Sequence, residues 1–198
     1  PQNYILGPGD QLIDDIWGEQ ENSYQLTISP EGSVQISGIG PIILSGLTIE
    51  KVSALLKSRL SEIYSGLKAT SQNTFLQVSL GQVRTIKVNI FGEVRKPGTY
   101  SISSLSTVFN ALYASGGPSK IGTYRDIQVL RNGEVIENVD LYDFLVYADQ
   151  SSNIRLRDQV IIKVGTYSKR ISLYGDTKIT VLFETLDGET FEEVLEFA

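Results

Sequence analysis

The sequence repeats part of its own pattern after 83 residues, and this repeat constrains the architecture more than any other feature. The aligned positions are residues 90–92 with 173–175, Tyr100 with Phe183, Val108 with Phe191, Leu112 with Leu195 and Ser115 with Ala198. Identical residues are few, but apolar positions and a turn recur in the same order along a strand, a second strand and a helix. The sequence therefore predicts a strand-strand-helix module, followed by the opening of a second copy.

Composition excludes several classes of enzyme. The 198 residues include no His, no Cys and no Met. The chain therefore lacks the side chains for a His-containing zinc site, a Ser-His-Asp or Cys-His nucleophile, or a disulfide. With 17 basic and 23 acidic side chains the net charge is -6. This balance argues against a nucleic-acid partner, because binding to phosphates depends on Lys and Arg.

The sequence contains no apolar run of the roughly 18 residues that a membrane-spanning helix needs. It begins with Pro1 rather than Met. We therefore interpret the chain as part of a longer protein, with targeting and anchoring segments elsewhere, and we expect this part to be soluble.

Short strands and one clear helix are predicted in the first part of the chain. The stretch Gly7-Pro8-Gly9-Asp10 is typical of a tight turn. Runs at 25–28 and 33–36 flank Pro30-Glu31-Gly32 and predict a hairpin in which Gly32 takes a positive φ.

Thr48 is predicted to cap the helix that follows a further short run at 42–44. The apolar face of this helix contains Val52, Leu55, Leu56, Leu60 and Ile63. A strand at 75–80 and a connector at 82–84 complete this part.

The second part is predicted to contain strands around one substantial helix. Residues 86–90 alternate as a strand, a turn leads into a strand at 99–102, and a helix starts at Ser106. Asn132-Gly133 predicts a hairpin between strands at 127–130 and 134–136. A helical turn at 141–147 and a strand at 159–164 follow. We place domains at residues 1–82, 83–166 and 167–198.

Carboxylates are the strongest candidates for chemistry, and five of them lie close together in sequence. They are Asp10, Asp14, Asp15, Glu19 and Glu21. Paired acids can hydrolyse glycosides or bind calcium, but the ligand spacing of a calcium loop is missing, and charged runs usually form a solvated face. Most Tyr and Phe residues occupy apolar positions and are predicted to be core. Trp17 has two interpretations, an exposed platform for sugars or a side chain packed in the core or at an interface, and we favour packing.

The sequence resembles the bacterial outer-membrane polysaccharide export family of the Wza type. The first 80 or so residues carry this resemblance through Tyr4 to Leu12, Ile28 to Val34, Ile39-Gly40 and the stretch Gly46-Leu47-Thr48-Ile49-Glu50. The next part resembles the family's soluble-ligand-binding β-grasp (SLBB) domain. That resemblance rests on residues 90–94, on Lys96 to Tyr100, on the stretch from Val108 to Gly117 and on residues 153–161, and a second copy would begin near Ile171.

The sequence departs from the family pattern at a few positions. Asp14 and Asp15 stand where the family alternates apolar residues, Arg157 stands where Gly is common, and Thr180-Val181 replaces the Pro-Gly turn of the second copy. The family's lipid-carrying N-terminal Cys and its membrane-crossing amphipathic helix have no counterpart in this sequence.

The resemblance implies an α+β fold, with a small mixed polysaccharide-export domain followed by one complete and one partial SLBB unit. It implies a periplasmic part of an outer-membrane export conduit that acts by ring assembly and polymer passage, with no enzymatic activity and no catalytic residue, cofactor or metal. The expected partners are further copies of the chain, eight in the full-length ring, the exported polysaccharide and an inner-membrane polysaccharide co-polymerase. The family motif residues, expected to be structural, are Gly7, Pro8, Gly9, Asp10, Gly32, Gly46, Thr48, Gly92, Pro97 and Gly98.

Two other classes of function stay open from the sequence. β-grasp domains of this type also occur as ligand-binding modules in other assemblies, and acid pairs occur in carbohydrate-processing hydrolases. The acidity and the export domain in the same chain disfavour the binding module, and a hydrolysis assay on the purified protein would test the enzyme.

Overall fold

The computed structural model describes residues 2–68, 73–172 and 182–197. The chain divides into two compact units, Pro1–Thr85 and Ile86–Ala198. Each unit is described separately below.

Unit 1 contains strands around a single long helix. Its elements are β1 (Gln11–Gly18), β2 (Asn22–Thr27), β3 (Ser33–Ile36), β4 (Gly40–Ile43), α1 (Ile49–Leu60), a 3-10 turn (Ser65–Leu67) and β5 (Thr74–Leu80). β1 is the centre of an antiparallel sheet in the order β2-β1-β5, and β3 pairs with β4 as a separate two-stranded ribbon.

The predicted hairpin between residues 25–28 and 33–36 is wrong, although its turn exists. Gly32 has the expected positive φ of 83°, and its amide donates to the Ser29 carbonyl. The strands on either side of this turn do not pair with each other. Each pairs instead with a different strand that carries buried apolar residues on the same face. Leu26 of β2 lies opposite Leu12 of β1, and β3 pairs with β4.

The helix α1 follows from its local sequence. The Thr48 hydroxyl accepts a hydrogen bond from the Lys51 amide, as predicted for its cap. Val52, Leu56 and Leu60 are fully buried, which gives the helix one apolar stripe. Ile63 lies beyond the end of the helix and is 43% exposed, so its assignment to this stripe is wrong.

Unit 2 is built on a mixed sheet. Its elements are β6 (Thr85–Gly92), β7 (Gly98–Ser103), α2 (Val108–Ala114), β8 (Gly122–Arg131), β9 (Glu134–Val139), α3 (Leu141–Tyr147), β10 (Val160–Thr166), β11 (Lys169–Ser172), β12 (Leu182–Thr185) and α4 (Phe191–Leu195). The main sheet has the order β7-β6-β10-β8-β9, in which β10 is parallel to β6 and antiparallel to β8.

The helix α2 packs its apolar stripe into the core of this sheet. Val108, Ala111 and Leu112 are buried together with Val88 and Ile90 of β6. The helix begins at Val108, two residues after the predicted start at Ser106, because Thr107 forms the N-terminal cap. The β8-β9 hairpin forms at Asn132-Gly133, both with positive φ, as predicted. These features confirm the α+β fold.

The structure has a strand, a strand and a helix again at the predicted 83-residue spacing. Thr107 caps α2 in a capping box with Asn110, and Thr190 caps α4 in a capping box with Glu193. These pairs correspond under the same shift. Residues 173–175, which were aligned with 90–92, lie outside the described residues.

The buried positions of the second helix differ from those expected. Phe191 and Leu195 are 64% and 44% exposed, whereas Val194 is 2% exposed. α4 spans only five residues, and Val194 is its buried side chain. α2 spans seven residues and buries Val108, Ala111 and Leu112. The alignment therefore matches the helix starts but not the complete set of core positions.

Candidate functional site

The family motif around Gly7 to Asp10 forms a buried polar cluster in unit 1. The carboxylate of Asp10 is fully buried. It accepts hydrogen bonds from the Tyr4 hydroxyl at 2.8 and 2.9 Å, from the Gly7 amide at 2.9 Å and from the Arg84 amide at 2.8 Å. The Arg84 guanidinium also forms an ion pair with it. Asp10 thus joins the start of the unit to residue 84 at its end.

The other predicted motif residues of unit 1 meet in the same region through backbone hydrogen bonds. The Gly9 amide donates to Ile28, the Gly46 amide donates to Leu6, and the Leu44 amide donates to Gly32. Thr48 forms a β-bridge with Ile5 in addition to capping α1. These contacts are hydrogen bonds and a β-bridge between backbone groups, and the structural role of the motif residues stays a prediction.

The motif residues of unit 2 lie at the turn between β6 and β7. Gly92 has a φ of 87°, and a Cβ placed there would lie 2.1 Å from the Val164 carbonyl oxygen. Only glycine fits so close to the neighbouring strand. Pro97 and Gly98 then lead the chain into β7.

The ion pair of Arg84 with Asp10 is a contact that the sequence did not reveal. Arg84 lies in the stretch interpreted as a simple connector, 74 residues from its partner Asp10. A single Arg in a connector is normally solvated, and no local pattern points to a buried partner. The signal that was present is the aspartate of the motif, which needs a cation when it is buried.

Asp14 is also buried, so the prediction of a solvated acidic face is wrong for Asp10 and Asp14. Asp15, Glu19 and Glu21 are exposed as expected. Asp14 lies on β1 between Leu12 and Ile16, on the face that packs into the core. The sequence did not reveal which acid is buried, because apolar residues flank Asp15 (Ile13 and Trp17) in the same alternation as they flank Asp14.

The environment of Asp14 disfavours its charge. Both carboxylate oxygens are buried, and neither has a hydrogen-bond partner among the described residues. Burial, with a smaller contribution from the charge of Asp15, raises the pKa of Asp14 from 3.8 to about 7.

Trp17 belongs to an exposed aromatic pair rather than to a core. Its ring stacks on Phe75 with 5.9 Å between ring centroids. The two side chains are 44% and 43% exposed. Packing of Trp17 in the core is therefore wrong, whereas its packing at an interface stays a prediction. Several other aromatic rings are also exposed, among them Tyr113 and Phe191.

A second buried ionic cluster lies in unit 2 and centres on Arg125. Its Nε donates to Asp140 at 2.9 Å, and its Nη1 lies 2.6 Å from a Glu189 carboxylate oxygen. The guanidinium also lies over the rings of Tyr142 and Phe197, at 4.8 and 5.1 Å. Desolvation raises the pKa of Asp140, while the Tyr142 amide and the Arg125 guanidinium oppose that rise.

Glu184 ties β12 to β8 beside this cluster. Its side chain is buried and accepts a hydrogen bond from the Tyr124 amide at 2.8 Å and another from the Thr123 hydroxyl. Its own amide donates to the Tyr142 hydroxyl at 2.9 Å. The sequence did not reveal this network either, because its members are separated by about 60 residues.

These polar clusters hold backbone and side chains in place. Within residues 2–68, 73–172 and 182–197, no group of three or more acidic side chains is placed to hold a metal ion. None of the helices in the same ranges is both long and apolar enough to span a membrane.

The fold and these clusters define a modular α+β protein in which a mixed domain precedes a β-grasp domain and part of another. A family model described as polysaccharide biosynthesis/export protein matches residues 1–73, and one described as SLBB domain matches residues 87–139. Two Escherichia coli proteins called polysialic acid transport protein KpsD are each 32% identical to the chain over 184 residues. Residues 1–73 thus belong to the polysaccharide biosynthesis/export protein family and residues 87–139 to the SLBB domain family.

The match to these relatives covers 92% of this chain but only 32% of each relative. The chain therefore spans about one third of the length of the curated relatives that it matches.

Proposed function

We propose that this chain is the periplasmic part of an outer-membrane conduit through which capsular or extracellular polysaccharide leaves the cell. The observation that carries the proposal is the order of the two matched domains, in a chain that aligns over 92% of its length with proteins named for polysialic acid transport. The buried charges of Asp10 and Arg125 support it, since both are occupied in holding the fold together.

The proposed mechanism is containment of a moving polymer. A polysaccharide that must slide needs a wall that binds it weakly along most of its length. The chain carries a net charge of -6, and an acidic wall repels a polymer of the same sign. Micromolar or weaker binding of the cognate polysaccharide is therefore expected, and sub-micromolar affinity would contradict this mechanism.

The conduit requires self-assembly. Head-to-tail contacts between identical chains close into a ring when the rotation between neighbours is right. The proposed partners are further copies of the full-length protein, eight in the ring, together with the exported polysaccharide and an inner-membrane co-polymerase. The proposed location is the periplasmic face of the outer membrane.

Two measurements on the full-length protein test the proposal. Native mass spectrometry in detergent should give a closed oligomer, whereas a monomer at high protein concentration would contradict the ring. Deletion of the gene should abolish surface polysaccharide and leave polymer inside the cell, and the full-length gene should restore export. Normal surface polysaccharide in the deletion strain would refute the transport function.

The hydrolase alternative has a simple test. Purified protein is incubated with the cognate polysaccharide, and new reducing ends are measured against a heat-inactivated control. A linear increase in reducing ends would favour the enzyme and contradict containment.

A further inference from the structure

Unit 2 contains an open cavity of about 530 Å³ beside the Glu184 network. This volume is in the range of small-molecule sites. Its lining comes from the turns before β7 and β8, from α3 and from β11 and β12, and it includes Arg95, Lys120, Arg170, Tyr124 and Tyr142.

The cavity is cationic in an acidic protein. Arg95, Lys120 and Arg170 line it, and none of the described lining residues is acidic. None of these three cations forms an ion pair with a described residue, in contrast to Arg125, which has two carboxylate partners. Two acids outside the lining contact lining residues: Glu93 accepts a hydrogen bond from the Ser119 hydroxyl at 3.1 Å, and Glu184 accepts one from the Tyr124 amide at 2.8 Å. Uncompensated cations in a concave surface attract anions.

Arg170 is held in place without being neutralised. Its guanidinium donates to the carbonyls of Lys120 at 2.7 Å and Gly122 at 2.9 Å. It also stacks over the Tyr167 ring at 3.8 Å. Carbonyl and ring contacts fix the orientation of the guanidinium but leave its positive charge, so little entropy is lost when an anion binds to it.

Two tyrosines give the cavity an aromatic wall. The Tyr142 hydroxyl accepts a hydrogen bond from the Glu184 amide, and the Tyr124 amide donates one to the Glu184 carboxylate. Both tyrosines are therefore held by the same buried residue. A tyrosine offers an apolar ring face and a polar hydroxyl. A sugar ring has the matching character, with an apolar face of C–H groups and hydroxyls at its edge.

We propose that this cavity binds one carboxylated sugar unit of an anionic polysaccharide, with Arg95, Lys120 and Arg170 facing its carboxylate and the two tyrosines contacting its ring. The inference rests on the proposed function, which supplies an anionic polysaccharide as the passing polymer. A site for a single unit is compatible with a sliding polymer when the affinity is weak, since each contact is then released quickly.

The test is a titration of the 198-residue chain followed by amide NMR shifts. The probe is the methyl glycoside of N-acetylneuraminic acid, and its neutral carboxamide is the matched control. We expect saturable shifts around Lys120, Tyr124 and Arg170 with a dissociation constant of about 0.1–10 mM, and at least tenfold weaker binding of the carboxamide. Equal shifts with the carboxamide, or none at about 50 mM probe, would overturn the site.

Two variants assign the effect to the cavity. Lys120→Gln and Arg95→Gln remove cations whose backbone contacts remain, and each should weaken binding several-fold. Lys163→Gln removes an exposed cation of β10 that is not in the lining, and it should bind like the unchanged protein. The same loss in all three would reduce the effect to overall charge and refute the site.

Inorganic phosphate distinguishes a sugar site from a general anion site. It should bind more weakly than the glycoside, because it has no ring to contact the tyrosines. Equal or tighter phosphate binding at the same residues would overturn the sugar assignment. Sub-micromolar binding of the glycoside would leave the site intact and contradict the sliding mechanism, so the two proposals fail separately.

Discussion

Replacement of Asp14 by Asn should make unit 1 less sensitive to pH. Asp14 is buried without a hydrogen-bond partner among the described residues, and its pKa is raised from 3.8 to about 7. The folded state therefore retains a proton that the unfolded chain has already released. Since folding binds the proton, stability is present at low pH and is lost as the pH rises toward 7 and beyond.

The size of the effect follows from the same pKa. One pKa unit corresponds to about 1.4 kcal/mol, so the complete loss between acid and alkaline pH is about 4 kcal/mol. Between pH 5.5 and pH 8.5 the expected loss is about 2 kcal/mol. Tyr24 lies opposite Asp14 in the β1-β2 register, and its pKa of about 12, raised by burial and by its hydrogen bond to Tyr64, keeps it neutral in this range.

The assay uses urea unfolding at pH 5.5 and 8.5 with Trp17 as the probe. Trp17 is the single tryptophan and lies in β1, so its fluorescence reports on unit 1. The free energy of unfolding should fall by about 2 kcal/mol more in the unchanged protein than in Asp14→Asn. Glu21→Gln, an exposed acid of the same unit, should retain the full dependence. Parallel pH profiles for the unchanged protein and Asp14→Asn would refute the burial argument.

The two ionic clusters, around Asp10 and around Arg125, and the cap of α1 provide further predictions. Asp10→Asn should destabilise unit 1 by about 3–5 kcal/mol, because the Arg84 charge stays partly buried without a partner. An unchanged midpoint in the Trp17 unfolding assay would contradict this. The control is Arg59→Met, which breaks an exposed ion pair. Arg125→Met should lower the stability of unit 2 by about 3–5 kcal/mol, because Asp140 and Glu189 lose their partner. The measurement is thermal unfolding followed by circular dichroism, and Lys169→Met, which breaks an exposed ion pair, is the control. Equal melting curves for the unchanged protein and Arg125→Met would rule out a structural role for the cluster. Thr48→Ala should cost about 1 kcal/mol in the Trp17 assay, and a loss below the error of the fit would mean that the Thr48 hydroxyl does not cap the helix.

The elements defined by neighbouring residues could be predicted from the sequence. The apolar spacing of α1 with Thr48 before it, and the Asn132-Gly133 turn of the β8-β9 hairpin, depend on interactions within a few residues. Local chemistry sufficed in both cases. The capping boxes of α2 and α4 were not predicted, although they lie 83 residues apart as the repeat does.

The contacts that close each unit could not be predicted. Arg84 is 74 residues from Asp10, and Arg125 is 64 residues from Glu189. Local periodicity specifies which face of an element is apolar, but not which distant charge meets a buried acid. For the same reason the pairing of β2 with β1 was missed, since a turn at Gly32 suits either arrangement.

The Arg125 cluster has a consequence for anyone who dissects this protein. A fragment that stops after β10 would lose Glu184 and Glu189, so Thr123 and Tyr124 would lose their acidic partner and Arg125 would keep Asp140 alone. Such a fragment would also expose the Tyr142 ring, which contacts Phe197 in the longer chain. A fragment whose boundary is set at the end of the first repeat would therefore be prone to aggregation. A well-folded fragment must keep the first strands and the helix of the following copy.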